Sequence, residues 1–359
     1  EKCLTERIMI IPGQPPTTIP LNPVKACDCR DTLAKHLYTR LFDYLVQRIN
    51  TFLGEDLGSQ KTKTIGILDI FGFEIFDHNS FEQMCINFAN EKLQQKFNQT
   101  TFKEEEAVYK RERINFDHID FIDNQVVLDL VEKKPKGLLV MLDDELKTPK
   151  GDDKGWHGKI CRVHKDHPRF KNPVKVADAF DLVHYAGEVR YDSRGFYDKN
   201  KDEMYMDLVE CIATSKVARL ASLVAAEVGA LQRKKTSLSG QFREQLNSLM
   251  ATINKTEPNY IRCIKPNEHK APSNEDFDVT MSMKQLLYAG VFEAVEIRRK
   301  GYPFRYTHKK FMKRYRCLNP KMGGKDANAC KKMLASMSCN TDDVQVGASM
   351  CLYRAKEQR

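Results

Sequence analysis

The stretch Asp69-Ile-Phe-Gly-Phe-Glu74 decides the fold. Its first three residues are the end of an apolar run over residues 64–71. Nearly every residue of that run is apolar or β-branched, which predicts a buried strand ended by Gly72. The Gly72 N–H can approach a phosphate closely because no Cβ intervenes. Asp69 can hold a metal-bound water, and Glu74 can pair with a cation across a cleft. A plain turn with Asp as turn former explains the same spacing.

A long helix is predicted directly after this stretch. Asn79 is its expected N-cap, and Glu82 follows three residues later, as a capping box requires. Phe81, Cys85 and Phe88 fall on one stripe of the helix. The pattern continues without Gly or Pro to about residue 113, which is roughly 50 Å at ~1.5 Å per residue. Such a helix can connect two distant sites.

The remaining chain alternates helical and extended patterns. Residues 1–30 predict an extended surface segment, and Asp31 opens an amphipathic helix that Gly54 ends. Residues 147–175 predict a surface connection. Strands are predicted around Gly187 and over 259–264, where Ile261, Cys263 and Ile264 are expected in the core. Helices are predicted over 202–228, 238–254 and 281–300, and short strands and helices follow to the end.

Composition limits the classes of protein that fit. The 359 residues are 41% hydrophobic and 30% charged with a net charge of +9, which excludes a disordered chain. No apolar run reaches the ~18 residues of a membrane span. The eleven cysteines are scattered without a CxxC pair, which favours reduced thiols over a disulfide framework or a zinc ribbon. The chain starts at Glu1 without a leader, so we expect it to begin inside a longer protein.

Residues 69–76, followed by 79–98, resemble switch II and the relay helix of the myosin motor family. Further segments resemble this family in the expected order: 20–23, 30–35, 41–50, 184–189, 195–200, 257–267, 290–303 and 348–355. The resemblance as a whole extends over about residues 4–355. The resemblance implies a mixed α/β, helix-rich fold. It would comprise a partial P-loop NTPase-like motor core, a lower 50-kDa helical region and a small α+β converter.

The resemblance also implies four divisions of the chain. Residues 1–145 would hold a helix, the switch II strand and the relay helix, and 146–257 the lower 50-kDa actin-binding region. Residues 258–301 would hold a core strand and paired hinge helices, and 302–359 the converter.

By the same resemblance, three residues carry the chemistry of ATP hydrolysis. Gly72 would sense the γ-phosphate, Asp69 would support Mg²⁺ through a water without binding it directly, and Glu74 would close the cleft. Nucleotide sensing would extend to Ile70, Phe71 and Phe73. The relay residues would be Asn79, Phe81, Glu82 and Phe116, and the hinges Gly290 and Gly301.

Two basic stretches have competing explanations. Arg233, Lys234 and Lys235 form a run that is often only a solvated surface. By resemblance it would meet acidic actin, together with Leu246, Leu249, Met250, Lys265, Pro266 and Asn267. Residues 289–316 hold nine Lys or Arg against two Glu, which suits nucleic acid. The interleaved aromatic residues favour a packed helix with solvated charges instead.

Outside these stretches, His184 is expected to be a structural histidine.

The function implied is that of an ATP-driven motor on actin. It would use ATP with Mg²⁺, bind F-actin, and meet a light chain or calmodulin beyond its C-terminus. It would act in the cytoplasm, on the actin cytoskeleton, without nucleic acid or a membrane span. Neither the phosphate-binding G-x-x-x-x-G-K-[ST] motif nor the family's N-x-x-S-S-R switch I segment occurs in the sequence. We therefore expect this chain alone to be inactive as an ATPase; the alternative is a non-enzymatic actin-binding fragment of a truncated myosin.

Overall fold

The computed structural model describes residues 2–9, 13–54, 63, 65–115, 123–173, 175–201, 204–225, 237–270, 276–337 and 343–354. The described chain is rich in helix and carries three small antiparallel sheets, which confirms the mixed α/β class. It divides into a first unit, Glu1–Ile70 with Asp198–Gln241, and a second unit, Phe71–Tyr197 with Phe242–Arg359. The four-part division by role stays a prediction.

Fourteen α-helices occur among the described residues. They are α1 (Lys2–Thr5), α2 (Pro23–Gly54), α3 (Phe81–Glu112), α4 (Gln125–Glu132), α5 (Leu138–Glu145), α6 (Asp153–Val163), α7 (Phe196–Asn200), α8 (Met206–Ala213), α9 (Ala218–Val224), α10 (Leu238–Ile253), α11 (Val279–Tyr288), α12 (Val291–Lys300), α13 (His308–Tyr315) and α14 (Ala327–Ser336).

The three sheets are small and antiparallel. The first unit holds the hairpin β1 (Glu6–Met9) and β2 (Thr17–Pro20). The second unit holds two sheets of three strands, with spatial orders β3-β4-β5 and β6-β8-β7. Their strands are β3 (Phe170–Lys171), β4 (Ala179–His184), β5 (Gly187–Asp192), β6 (Phe304–Thr307), β7 (Val344–Val346) and β8 (Met350–Tyr353).

The core of the second unit lies between α3 and the β4–β5 hairpin. Phe81, Met84 and Phe88 on one stripe of α3 are buried there. Trp156 of α6 is fully buried and stacks on Phe196 with ring centroids 5.0 Å apart. Burying aromatic side chains of this size supplies much of the stability of such a core. Helix α3 therefore contributes a central part of the core of the second unit.

Helix α3 confirms the predicted long helix, with its start shifted by one residue. Ser80 is the N-cap, and the capping box uses Gln83 rather than Glu82. Asn79 is not the cap because its side chain is engaged elsewhere: it accepts from the Phe76 N–H at 2.9 Å and donates to the Arg190 carbonyl at 3.0 Å. The helix ends at Glu112 and is followed by the C-cap Arg113, which has left-handed backbone with φ 55°.

Two predicted strands are absent from the described residues. Residues 65–71 and 259–264 have no regular secondary structure. A buried strand needs neighbours that pair with its backbone, and no described strand pairs with either segment. Ile65 is accordingly 96% exposed and Ile261 85% exposed. The expectation that Ile261 and Cys263 lie in the core is wrong, whereas Ile264 is half-buried.

Two other boundaries differ from the sequence prediction. Helix α2 begins at Pro23 rather than Asp31, and proline suits the first position of a helix because its missing N–H has no partner to lose there. Residues 147–175 are not only a connection, since α6 lies within them. Trp156 and Ile160 anchor that helix in the core. The predicted helices over 238–254 and 281–300 are confirmed, the latter as α11 and α12 with Gly290 between them.

Candidate functional site

The loop over residues 71–74 is held by two asparagines of α3. The Glu74 N–H donates to Asn87 Oδ1 at 2.8 Å, and Asn87 Nδ2 donates back to the Glu74 carbonyl at 2.8 Å. Asn90 Nδ2 donates to the Phe71 carbonyl at 2.9 Å. A side-chain amide that pairs with both backbone groups of one residue replaces a neighbouring strand. The loop backbone is therefore tied directly to the helix.

The side chains of this loop point to different environments. Phe73 is buried and meets the rings of His184 and Tyr185 edge-on, with centroids 5.2 and 5.3 Å away. Gly72 is exposed, and a Cβ added there would meet nothing within 4 Å. The position therefore leaves room for a ligand, and the phosphate-sensing role of Gly72 stays a prediction. Asp69 and Ile70, the last residues of the first unit's opening segment, are exposed as well.

A buried polar network lies beneath the loop. His184 is 2% exposed, with Nδ1 2.8 Å from Glu91 Oε2 and Nε2 3.0 Å from the Tyr191 hydroxyl. Asn87 Nδ2 also donates to that hydroxyl at 2.9 Å. Burial raises the pKa of Tyr191, so its hydroxyl stays protonated. His184 is thus a satisfied structural histidine, as predicted, and the network joins α3 to the β4–β5 hairpin.

The C-terminal end of α3 is hydrogen-bonded to the sheet β6-β8-β7. Glu112 is 2% exposed, and its carboxylate accepts from the Ser349 N–H at 2.7 Å, the Ser349 hydroxyl at 2.6 Å and the Met350 N–H at 3.2 Å. One turn earlier, the Tyr109 hydroxyl accepts from the Tyr302 N–H at 2.9 Å. Glu105 pairs with Arg305 beside it. These bonds are specific, since each side chain meets a defined backbone or charged partner.

The junction between α11 and α12 contacts the middle of α3. Gly290 has left-handed backbone with φ +66°, and a Cβ there would overlap the Gln94 amide. Gln94 Nε2 donates to the Gly290 carbonyl at 3.4 Å and also to Glu293. Of the two predicted hinges, Gly290 therefore needs to be glycine, both for its left-handed backbone and for the space that Gln94 occupies. Gly301, the second predicted hinge, is buried after α12.

The predicted actin-binding residues are differently placed. Arg233, Lys234 and Lys235, like the predicted relay residue Phe116, lie outside the described residues. Leu246 is buried in the core, and Leu249 and Met250 pack against it half-buried. Lys265 is exposed, Pro266 half-buried and Asn267 buried. Burial leaves Leu246 and Asn267 little surface for a partner, so packing explains them better.

Three residues that hold this arrangement together were not predicted from the sequence. Asn87 and Asn90 lie three residues apart near the start of α3, and Glu112 ends it. Asparagines at that spacing project from the same face of a helix. The available signal was Asn87 beside the buried Met84 and Phe88, because burying an amide is costly unless its hydrogen bonds are satisfied.

The described residues carry neither a cluster of metal-ligating side chains nor a membrane-spanning helix. No group of three or more His, Cys, Asp or Glu side chains among them could hold a metal ion. No helix in the described part of the chain is long and apolar enough to cross a membrane.

Comparison with known proteins agrees with the geometry. The family described as "Myosin head (motor domain)" matches residues 1–354. The chain belongs to the myosin head family. Among its relatives, the high molecular weight form of myosin-1 from Acanthamoeba castellanii is 48% identical over 100% of this chain. Myosin-I heavy chain from Dictyostelium discoideum is 45% identical over 89%, and Myosin-8 from Arabidopsis thaliana 42% over 99%. This myosin chain spans 23%, 14% and 24% of the length of these three relatives.

Proposed function

We propose that this chain is the portion of an ATP-driven actin motor that converts the state of a nucleotide site into movement. One observation carries the proposal: α3 is bonded to the loop 71–74 near its N-terminal end and to the sheet β6-β8-β7 at its C-terminal end. A 32-residue helix of this kind spans about 48 Å. A displacement of the loop can therefore reach the C-terminal sheet through a single rigid element.

In this proposal the loop reads the γ-phosphate of ATP. ATP with Mg²⁺ supplies the phosphoanhydride bond and the charge that the site responds to. The Gly72 N–H would donate to the phosphate, Asp69 would hold a water of Mg²⁺, and Glu74 would close the cleft. Open space around Gly72 supports this, as do the exposed positions of Asp69 and Ile70. Phe71 and Phe73 would transmit a displacement of the loop to the residues around it. Phe73 would do so through its buried contacts with His184 and Tyr185.

The relay and hinge roles follow the contacts of α3. Phe81 in the first turn is buried in the core, so the helix start moves with that core. Gln94 bonds Gly290 and Glu293, so a rotation of α3 also reaches α12. Gly290 and Gly301 bracket α12 and would absorb that rotation. Residues 302–354 would then swing a lever arm.

Actin is the proposed track of this motor. The exposed Lys265 and the basic run Arg233, Lys234 and Lys235 supply charge for its acidic surface. The chain is proposed to act on the actin cytoskeleton in the cytoplasm, with a light chain or calmodulin beyond residue 359. No phosphate-binding loop occurs in the sequence, so we propose that this chain supplies the sensing half of the ATP site.

The phosphate-sensing role is tested by Gly72→Ala in the full-length motor that carries this chain. The open space around Gly72 means that the methyl group should leave folding intact, and ATP binding should persist. Hydrolysis in a single turnover should fall by about 10²–10³, the usual cost of losing one preorganised donor.

Gly158→Ala is the matched control, since Gly158 on α6 also has open space for a Cβ. It should leave hydrolysis unchanged and stabilise α6 by about 0.5–1 kcal/mol. An unchanged hydrolysis rate in Gly72→Ala would remove the loop from the proposed site.

A further inference from the structure

Three cysteines from distant parts of the sequence meet in the first unit. They are Cys3 on α1, Cys29 on α2 and Cys211 on α8. The Cys29 Sγ lies 3.9 Å from the Cys3 carbonyl oxygen, and the thiols of Cys3 and Cys211 interact side chain to side chain. Cys29 is buried, Cys3 is half-buried and Cys211 is exposed. Folding, rather than closeness in sequence, brings these thiols together.

The segment over residues 3–8 lies along the first turns of α8, which fixes this meeting. The Ile8 N–H donates to Asp207 Oδ2 at 2.7 Å, and the Arg7 guanidinium lies 4.7 Å from the centroid of the Tyr205 ring. Cys211 follows Asp207 by four residues and so projects from the same face of α8. These contacts at residues 7 and 8 hold the segment beside the face of α8 that carries Cys211.

We propose that Cys3 and Cys211 form a reversible intramolecular disulfide when the protein meets a peroxide. The Cys211 thiolate attacks a peroxide oxygen, the O–O bond breaks, and the leaving hydroxide takes a proton to become water. The Cys3 sulfur then attacks the resulting sulfenic acid. The S–S bond forms, the S–O bond breaks, and the second hydroxide leaves as water with the Cys3 proton. Two thiols lose two electrons and two protons, and hydrogen peroxide is reduced to two waters.

The order of attack follows from exposure. Cys211 is open to solvent, so a peroxide reaches it first. Burial, together with the neighbouring Cys211 thiol, raises the pKa of Cys3, so Cys3 keeps its proton until the sulfenic acid is beside it. Cys29 is shielded from the oxidant by burial.

The bond would change the first unit mechanically. Helix α1 runs directly into β1, and the Leu21 N–H, just after β2, donates to the Thr5 carbonyl at 2.7 Å. A Cys3–Cys211 disulfide would therefore fasten the base of the β1–β2 hairpin to α8. Intracellular disulfides of this kind are usually transient and redox-sensing.

The test is peptide mapping of the full-length protein after hydrogen peroxide, with free thiols alkylated and no reductant. Trypsin places the three cysteines on separate peptides, residues 3–7, 26–30 and 202–216. We expect Cys3 and Cys211 to lose alkylation together. Peptides 3–7 and 202–216 should appear as one species lighter by about 2 Da than their sum, and dithiothreitol should restore both.

Two variants make the outcome decisive. Cys211→Ser, at an exposed position that tolerates the change, should leave Cys3 reduced. Cys263→Ser, which removes another exposed thiol, should leave the linked species unchanged. A bond between Cys3 and Cys29, irreversible oxidation of Cys211 alone, or linkage that grows with protein concentration would overturn the proposal.

Discussion

At the scale of single residues, Glu293 is a carboxyl group in contact with α3 whose pKa is raised. Burial, together with the charge of Glu91, raises its pKa to about 7, although the hydrogen bonds from Gln94 and Asn98 act to lower it. Tyr185 also faces this carboxyl from the turn between β4 and β5. Glu293 therefore changes charge near neutral pH at the contact between α12 and α3.

Glu293→Gln tests this charge change. A carboxyl with a raised pKa binds its proton more tightly in the folded state, so its stabilising contribution is present at low pH. It is lost as pH rises from the ordinary value of 4.5 to about 7. We expect the wild-type melting temperature to fall relative to the Gln variant between pH 5 and pH 8. The fall should be several °C, because a pKa raised from 4.5 to about 7 corresponds to about 3 kcal/mol before solvent screening reduces it. Each kcal/mol moves the melting temperature of a domain of 150–250 residues by about 2–4 °C. Parallel pH profiles for the two proteins would contradict this.

At the scale of elements, the end of α3 is bound through Glu112 rather than through apolar packing alone. Burial works to raise the pKa of Glu112, but the hydrogen bonds from Ser349 and Met350 outweigh it and lower the pKa. The carboxylate is thus charged and receives two donors from Ser349, in the turn between β7 and β8, and one from Met350 at the start of β8. Hydrogen bonds to a charged group contribute about 1.5–3 kcal/mol each.

Glu112→Gln should loosen this attachment, because the amide offers only one oxygen and turns an N–H₂ group toward N–H donors. We expect the Ser349 and Met350 amides to exchange with deuterium about tenfold faster or more, as about 1.4 kcal/mol requires. Amides in the first turns of α3 should be unaffected. Arg111→Gln is the control, since Arg111 is 68% exposed and contacts Glu112 only at 3.8 Å. Equal protection in the two variants would show that Glu112 does not hold the sheet.

The sequence was informative where a pattern is local. The stripe of Phe81, Cys85 and Phe88 predicted α3, and Gly290 predicted the break between α11 and α12. The prediction of a strand over residues 65–71 was wrong, because an apolar run becomes a buried strand only where partner strands exist. No partner strand is described beside this run. The contacts of Asn87 and Glu112 were out of reach because their partners lie 13 and 237 residues away.

At the scale of the whole molecule, α3 is a single helix whose two ends are each bound by specific hydrogen bonds. Asn87 and Asn90 hold the loop 71–74, and Glu112 holds the C-terminal sheet. Between them, Gln94 meets the junction at Gly290. If this chain works as proposed, cutting the attachment at one end should separate the chemistry at the loop from the movement of residues 302–354.

The most direct measurement is actin gliding speed alongside actin-activated ATP hydrolysis, in the full-length motor with Glu112→Gln. Glu112 lies far along α3 from the loop, so hydrolysis should stay at the wild-type rate. Gliding should slow several-fold, because the sheet no longer follows the helix. Arg111→Gln should match wild type in both. If Glu112→Gln leaves both rates unchanged, or lowers both in the same proportion, α3 does not transmit the state of the loop to the C-terminal sheet.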